Sequence, residues 1–367
     1  MLVKGGAESL TLTLCEGSPD IDLMVGFVDH NCFTAPSLIK GRLSELTTAT
    51  SIQGWQSIKM ALAFESGRAK SVRDYEKVIF SGSVAPVAVK HRGSGGNILY
   101  CHTPPRFIYD LKDHYLSSIP LWQRPLLSAL IAYLRPKYEA SISKMDLLIA
   151  NSVNVQRRIK HFLGRDSIVV YPPCHVDKYT WVSQQDFYLS TARVEPYKRV
   201  RLIVEAFMQM PDKKLVVASG GSDLASLHEL AKGYNNIEFT GWCEEQQLHD
   251  LMGNCVATLY LPMDEDFGIS PVESMAAGKP VIGVNEGGVQ ETVIDGQTGI
   301  LCPADPSVED IVASINTMSP EYALSLRNNC EQRAALFSAD IFVDKMKQLL
   351  DCDLADMADV AAVVDAG

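Results

Sequence analysis

Short runs of apolar, β-branched residues alternate with helix-period patterns through both halves of the chain. The runs predict strands at 21–28, 78–81, 98–101, 147–150 and 168–171, then at 187–190, 215–218, 237–239, 256–261, 280–284 and 299–301. In the second half each strand recurs after roughly 20 to 30 residues, which is about the length of a strand with its crossover helix. The pattern therefore predicts an α/β protein with helix-covered parallel sheets.

The 367-residue length and one proline pair predict two Rossmann-like domains. Tyr171-Pro172-Pro173 cannot continue a sheet ladder and stiffens an extended linker. We expect an N-terminal domain at 1–171, a linker at 172–184, a C-terminal domain at 185–350 and a tail at 351–367. Only four residues precede Gly5-Gly6, too few for the strand that normally precedes such a turn, so we expect either that the true start of the protein lies upstream or that the N-terminal domain lacks its usual first strand.

The charge distribution and the cysteines limit which partners the protein is expected to bind and in which cellular compartment it is expected to lie. The net charge is −11, but residues 1–171 carry +6 and the remainder −17. The net negative charge argues against a nucleic-acid partner. The excess of basic residues in the first half indicates either contact with an anionic surface or a basic surface that faces only solvent. Nine scattered cysteines without metal-ligand spacing predict a reducing, cytoplasmic location. We expect no signal peptide and no transmembrane helix.

Cations crowd a predicted helix start in the second half. Arg193 and Lys198, followed by Arg199 and Arg201, surround the segment that opens at Pro196. The positive end of a helix dipole disfavours cations unless an anion lies among them. Arg193 and Lys198 are therefore candidates for binding a diphosphate. The alternative is a solvated basic face, and it is the favoured interpretation for Arg199 and Arg201.

Two glutamates flank a glycine turn after the predicted strand at 256–261. Glu265 follows the strand end and Glu273 lies in a short predicted helix that starts with Ser270 as N-cap and Pro271 as first residue. Carboxylates suit vicinal sugar hydroxyls because each accepts several hydrogen bonds. Glu273 alternatively completes a capping box with Ser270. Asp264-Glu265-Asp266 also fits a D-x-D metal motif, but we expect no metal because the basic helix start already offers charge compensation.

The first half contributes fewer candidates. Gly5-Gly6 would let a phosphate or sugar approach the backbone, and His102 lies at the carboxyl end of the strand at 98–101. Arg106 and Asp110 are candidates for shaping the acceptor side. The segment 121–144 combines apolar positions with basic residues, and either rests on a membrane interface or packs in the core.

Together these residues resemble the retaining glycosyltransferases of family 4, which have the GT-B fold of two Rossmann-like domains facing across a cleft. The match is strongest over about 186–305 and rests on Arg193 with Lys198, Glu265-x7-Glu273 and Gly287-Gly288. In the first half it rests on Gly5-Gly6-Ala7-Glu8, His102, Asn151-Ser152 and Tyr171-Pro172-Pro173.

The resemblance implies a role for each matched residue. Arg193 and Lys198 would bind the donor diphosphate, Glu265 the transferred sugar and Glu273 the ribose. His102 would contact the sugar near the reacting centre. Further donor contacts fall on Gly5, Gly6, Phe267, Gly268 and Ile269.

The segments around His102 and Tyr171 are similar to bacterial mannosyltransferases that build surface polysaccharides, including lipopolysaccharide, on lipid carriers. The expected activity is transfer of a hexose, with GDP-mannose as the leading donor, to a lipid-linked or oligosaccharide acceptor with retention. No cofactor or metal is expected beyond the nucleotide-sugar. The expected location is cytoplasmic, with peripheral contact to the inner face of a membrane. A nucleotide-sugar epimerase and a non-catalytic nucleotide-sugar-binding subunit are the alternatives.

Overall fold

The computed structural model describes residues 5–18, 20–29, 39–49, 55–117 and 119–352. The chain forms two compact units. Unit 1 comprises Met1–Pro173 together with Phe342–Gly367, and unit 2 comprises Cys174–Ile341. The switch between the units at 173/174 directly follows the proline pair and lies within the predicted linker.

Unit 1 contains a four-stranded parallel sheet in the order β3-β4-β5-β6 and a separate parallel pair, β1-β2. The strands are β1 (Leu23–Val25), β2 (Leu43–Glu45), β3 (Lys77–Ser81), β4 (Gly96–Cys101), β5 (Leu147–Ala150) and β6 (Ile168–Val169). The helices are α1 (Gly6–Gly17), α2 (Trp55–Glu65), α3 (Lys112–Ser117), α4 (Arg124–Ile142) and α5 (Val153–Leu163).

Strand β2 was not predicted, because its three residues are only partly buried and carry no apolar run. The sheet β3-β4-β5-β6 has a core on both faces because β4 and β5 are almost wholly apolar. Leu99 and Leu148 pack in one cluster, while Ile98 and Ile149 pack in the other. Such double-sided burial is expected for a parallel sheet covered by helices.

Unit 2 contains a six-stranded parallel sheet in the order β12-β11-β10-β7-β8-β9. Its strands are β7 (Tyr188–Ser190), β8 (Leu215–Val217), β9 (Ile237–Phe239), β10 (Thr258–Leu259), β11 (Val281–Val284) and β12 (Gly299–Cys302). Its helices are α6 (Val200–Met208), α7 (Leu224–Leu230), α8 (Glu245–Asn254), α9 (Ile269–Ala276), α10 (Val289–Thr292), α11 (Val308–Thr317), α12 (Pro320–Ser325) and α13 (Arg327–Ala335). In this order β7 lies between β8 and β10, so the loops after these strands meet at one sheet edge.

The last described helix, α14 (Ala339–Asp351), differs from the predicted domain boundary. The sequence assigned everything up to residue 350 to the C-terminal domain, but the helix belongs to unit 1 from Phe342 onward. Phe342, Met346 and Leu349 pack against the α1 and β4 side chains of that unit, with Phe342 edge-on to Tyr100 at 6.0 Å between ring centroids. Amphipathic periodicity shows that a helix is half-buried, not which sheet it covers.

Two predictions fall wholly or mostly outside the described residues. The expected absence of a first strand concerns residues 1–4, and the expected tail concerns 351–367, of which 353–367 are not described. The first described element is α1, which begins directly at Gly6.

Candidate functional site

Lys198 and Glu265 form an ion pair at the carboxyl edge of the unit 2 sheet. Lys198 follows β7 and Glu265 follows β10, and these strands are neighbours in the sheet. The Lys198 residue is only 8% exposed, and its Nζ also lies 3.4 Å from the buried hydroxyl of Tyr260. Open α/β sheets bind ligands at this edge. The pair therefore places one cation and one carboxylate where a charged ligand is expected.

The turn that carries Lys198 differs from the predicted helix start. Pro196–Lys198 form a single 3-10 turn, and α6 begins only at Val200. Arg199 between them has φ +54°, a left-handed conformation that separates the 3-10 turn from the helix. The backbone amide of Met263 donates to the carbonyl of Tyr197 at 2.8 Å. This bond ties the Lys198 turn to the loop that carries Glu265.

Arg199 is buried, which contradicts its assignment to a solvated face. Its guanidinium pairs with Glu286 at 3.1 Å and donates to the Ala304 carbonyl at 3.0 Å, with Asp305 at 3.5 Å. It thus joins the loops after β11 and β12. Arg201 is exposed and pairs with Glu205 at 2.9 Å, as expected for a surface residue.

Arg193 is the exposed cation of the site. Within the part of the chain that the structure describes, its side chain has no hydrogen bond or ion pair, and its positive charge acts on the Tyr260 hydroxyl. Its loop is fixed by backbone bonds from Val194 N to Gly220 O at 2.9 Å and from Asp223 N to Val194 O at 3.1 Å. The Gly220-Gly221 turn therefore supports the Arg193 loop. A Cβ on Gly221 would lie 2.2 Å from the Val194 carbonyl oxygen.

The Gly287-Gly288 turn supports the Glu265 loop in the same way. The Gly288 amide donates to the Glu265 carbonyl at 2.8 Å. A Cβ on Gly288 would lie 2.5 Å from the Phe267 Cα, and one on Gly287 would lie 2.6 Å from the Glu265 amide nitrogen and carbonyl oxygen. Glycines are required because two backbones approach one another too closely for side chains.

Helix α9 begins two residues before its predicted start. Its N-cap is Gly268, with φ +86°, so Ser270 lies inside the helix and the predicted capping box is wrong. Glu273 therefore lies in the second turn of α9 and not beside an N-cap serine. Burial raises the pKa of Glu273, the Tyr179 hydroxyl opposes that rise, and Glu245 adds to it. The predicted stop at Gly278 is present, with φ +67°.

Phe267 and Ile269 were both expected to bind the donor. The Phe267 side chain is buried and meets the ring of Phe337 at 5.5 Å between centroids, so its ring is part of the core. Its role as a donor contact stays a prediction. Ile269 is the partly buried first residue of α9, directly after the positive-φ Gly268.

In unit 1, His102 directly follows β4, and its Nε2 lies 2.9 Å from the Ser81 hydroxyl at the end of β3. Burial lowers the pKa of His102 to about 4, so the imidazole is neutral at pH 7. A neutral ring can donate or accept a hydrogen bond but carries no charge. The next strand end holds Asn151, whose buried side-chain oxygen has no hydrogen-bond partner among the described residues.

The remaining candidates in unit 1 have different surroundings. Gly5 is the N-cap of α1, and a Cβ on the exposed Gly6 would meet no described atom within 4 Å. The protein itself therefore does not require a glycine at position 6. Arg106 and Asp110 pair with each other at 2.8 Å, four positions apart in the turn that precedes α3.

No group of three or more His, Cys, Asp or Glu side chains in the described ranges is arranged to hold a metal ion. In the Asp264-Glu265-Asp266 motif, the central carboxylate pairs with Lys198.

The sequence analysis did not identify Tyr260 and Tyr179 as residues of the site. Tyr260 was assigned to a buried strand run, and Tyr179 lies in the linker, where the pattern carries no signal.

The chain is similar to known glycosyltransferases. Residues 175–337 match the family described as Glycosyl transferases group 1. The Alpha-1,3/1,6-mannosyltransferase ALG2 of Dictyostelium discoideum is 36% identical over 159 aligned positions, covering 37% of each chain. ALG2 of Mus musculus is 26% identical over 290 positions, covering 68% of this chain and 66% of that protein.

A third relative is the GDP-Man:Man(3)GlcNAc(2)-PP-Dol alpha-1,2-mannosyltransferase of Mus musculus. It is 26% identical over 224 positions, covering 52% of this chain and 46% of that protein. The chain thus spans between about a third and two thirds of the length of these curated relatives. They are eukaryotic proteins, whereas the sequence resemblance pointed to bacterial surface-polysaccharide enzymes.

Among solved structures, a sucrose-phosphate synthase from Thermosynechococcus elongatus matches with a TM-score of 0.74 at 19% identity, covering 95% of this chain and 94% of that one. At this identity the likeness establishes the fold, and the predicted GT-B architecture is confirmed. The chain therefore has a GT-B fold and carries a Glycosyl transferases group 1 domain at residues 175–337.

Proposed function

We propose that the protein is a retaining mannosyltransferase that uses GDP-mannose and a lipid-linked oligosaccharide acceptor. The observation that carries this proposal is the Lys198–Glu265 pair beside the exposed Arg193, on the ligand edge of the group 1 domain. The names of the matched relatives supply the sugar and acceptor class, since they specify mannosyl transfer and, in one case, GDP-mannose and a dolichol diphosphate.

The chemistry follows from where charge develops during transfer. As the bond between mannose and diphosphate breaks, negative charge grows on the leaving GDP. Arg193 and Lys198 would stabilise that charge in the transition state more than in the ground state. Lys198 has three N–H donors, so it can contact a phosphate oxygen while it still contacts Glu265. Glu265 would accept hydrogen bonds from the mannose hydroxyls, and Glu273 from the ribose.

Retention is consistent with attack on the face from which GDP departs, with the leaving phosphate accepting the proton of the acceptor hydroxyl. Glu265 is paired with Lys198, which suits a hydrogen-bonding role better than nucleophilic attack. His102 as a contact to the transferred sugar remains a prediction from the family resemblance. We also propose that no metal is required, because the cations of the site compensate the diphosphate.

We further propose that unit 1 rests on a membrane surface through the start of α4. Leu121, Trp122 and Leu126 are 74%, 75% and 65% exposed. Beside Leu126, α2 and α4 enclose an apolar groove of about 270 Å³. Exposed Trp and Leu next to basic residues such as Arg124 are typical of surfaces that enter the headgroup region. No helix in the described ranges is both long and apolar enough to cross a bilayer.

The activity test is a donor and acceptor panel. GDP-, UDP- and dTDP-sugars are incubated with a polyprenyl-diphosphate oligosaccharide, a lipopolysaccharide core or no acceptor, and nucleotide release and product are measured. We expect GDP-mannose with the polyprenyl acceptor to give an α-linked product, unaffected by EDTA. Conversion of donor alone to an epimer, or binding without turnover under every condition, would refute the proposal.

The membrane test uses vesicle sedimentation with anionic and neutral lipids. Trp122→Ser should reduce the bound fraction several-fold, whereas Trp242→Ser, at a 71% exposed tryptophan in unit 2, should not. Equal loss from both variants, or no binding by the wild-type protein, would contradict the proposed surface.

A further inference from the structure

Two strained backbone positions flank the ion pair of the site. Among the non-glycine residues that the structure describes, positive φ angles occur at Arg199 (+54°) and Asp264 (+42°). Arg199 directly follows Lys198 and Asp264 directly precedes Glu265, the two members of the ion pair. A left-handed conformation is unfavourable for a residue with a side chain, so it persists only where surrounding contacts hold it. Each charged residue of the pair is therefore carried by a turn that other contacts must maintain.

The side chain of Arg199 supplies such contacts for the Lys198 turn. Its Nη1 donates to the Glu286 carboxylate at 3.1 Å and to the Ala304 carbonyl at 3.0 Å, and its Nη2 lies 3.5 Å from the Asp305 carboxylate. The Arg199 side chain is only 9% exposed. A buried guanidinium with several acceptors has a fixed orientation, because its donors form a rigid planar fork. One side chain thus fastens the Lys198 turn to the loops after β11 and β12.

The Glu286 end of this contact leads to the Glu265 loop. Glu286 lies two residues before Gly288, and the Gly288 amide donates to the Glu265 carbonyl at 2.8 Å. The Arg199 guanidinium is therefore linked through one turn to the backbone of Glu265, while the Arg199 backbone continues directly from Lys198. A movement of either turn would change the position of the Lys198 ammonium group.

We propose that Arg199 is a positioning residue, whose buried guanidinium holds the left-handed turn that keeps the Lys198 ammonium group within reach of the donor diphosphate. This inference rests on the proposed role of Lys198 in stabilising the leaving GDP. A preorganised charge acts only from the correct position, and a misplacement of about 1 Å can cost about 100-fold in rate. The charge on the leaving group develops in the transition state, so a misplaced Lys198 should affect kcat more than donor binding.

The test is Arg199→Met, which removes the guanidinium but keeps a long side chain. We expect kcat to fall about 10- to 100-fold, with the donor KM within about threefold of wild type. Glu286→Gln is a milder change that exchanges a charged acceptor for a neutral one, and it should lower kcat about three- to tenfold. Arg201→Met is the matched control, because this neighbouring arginine is 54% exposed and pairs with Glu205 at 2.9 Å on the surface of α6. It should leave kcat and KM unchanged.

The double variant Lys198→Met with Arg199→Met shows whether Arg199 acts through Lys198. If it does, Arg199→Met should lower kcat by less than about twofold in the Lys198→Met background. A further loss as large as in the wild-type background would overturn the positioning role. If Arg199→Met does not fold, Glu286→Gln takes its place in the same comparison.

Two other results separate the positioning role from the proposed function. All assays are run well below the melting temperature of each variant. If Arg199→Met and Glu286→Gln lower the melting temperature but leave kcat unchanged, Arg199 is only structural and the positioning role is overturned. If Lys198→Met itself keeps the wild-type kcat/KM, the proposed role of Lys198 fails, whatever the Arg199 variants show.

Discussion

Replacing Lys198 with methionine should separate catalysis from stability. The Lys198 and Glu265 side chains are 10% and 19% exposed, so the variant leaves a largely buried carboxylate without its cation. The free energy of unfolding should fall by about 1–3 kcal/mol, the usual cost of losing a hydrogen bond to a charged, largely buried group. For a unit of this size that corresponds to a decrease in Tm of about 2–12 °C. Activity should fall by about 10²–10³, equivalent to about 2.7–4 kcal/mol of transition-state stabilisation.

The double variant Lys198→Met with Glu265→Gln makes the distinction sharper. Removing both charges leaves no largely buried carboxylate that has lost its lysine, so the Tm should return most of the way to the wild-type value. Transfer should stay lost, because neither the diphosphate nor the sugar contact is restored. Thermal denaturation and GDP release measure the two effects on the same samples. Lys232→Ala serves as the control, because it removes an exposed lysine whose ion-pair partner among the described residues is Glu229.

The reasoning would be refuted in either of two ways. Lys198→Met with near wild-type kcat/KM would mean that its charge does not act on the leaving group. Recovery of transfer together with Tm in the double variant would mean that the single substitution inactivates only by destabilising the loop.

Three other substitutions probe the site and its support. Arg193→Ala should change the free energy of unfolding by less than about 0.5 kcal/mol, because the side chain is exposed. It should nevertheless lower the donor kcat/KM at least tenfold. A large decrease in Tm, or an unchanged kcat/KM, would contradict the assignment of Arg193 to the donor diphosphate. Gly288→Ala should lower the free energy of unfolding by about 1–3 kcal/mol, because the added methyl group overpacks the turn, and it should also reduce the transfer rate. In Gly93→Ala, the control, the added Cβ meets no described atom within 4 Å, so urea denaturation and rate assays should show neither effect. The pKa of His102 is about 4 in the folded protein and about 6.5 in the unfolded chain. Between these two values the unfolded chain binds more protons than the folded protein, so the free energy of unfolding decreases as the pH falls from 6.5 to 4. His102→Gln should weaken this pH dependence of the urea midpoint, and an identical dependence in the variant would exclude His102 as its source.

The strands were largely predictable because each buried parallel strand is a short apolar run with turn residues at its ends. Lys198 and Glu265 were predictable for a related reason, since both lie in loops that follow such a run and the carboxyl ends of parallel strands share one edge. What the sequence could not supply was the pairing between them. Their ion pair joins loops 67 positions apart, and no periodicity encodes that distance.

The predictions that were wrong can also be explained by particular residues. Arg199 was assigned to solvent because its partners, Glu286 and Asp305, lie far along the chain. The Ser270 capping signature was overridden because Gly268 adopts a positive φ and starts α9 earlier. Helix α14 was placed in the wrong unit because its apolar stripe fits either sheet, and only packing against unit 1 decides.

The central claim is that unit 2 binds the nucleotide-sugar through Arg193, Lys198, Glu265 and Glu273. A crystal structure of the protein soaked with GDP-mannose tests it most directly. The account predicts diphosphate oxygens within hydrogen-bond distance of Arg193 and Lys198, mannose hydroxyls on Glu265 and the ribose on Glu273. GDP-mannose bound with its diphosphate away from both cations, or with Glu265 making no contact to the sugar, would contradict it.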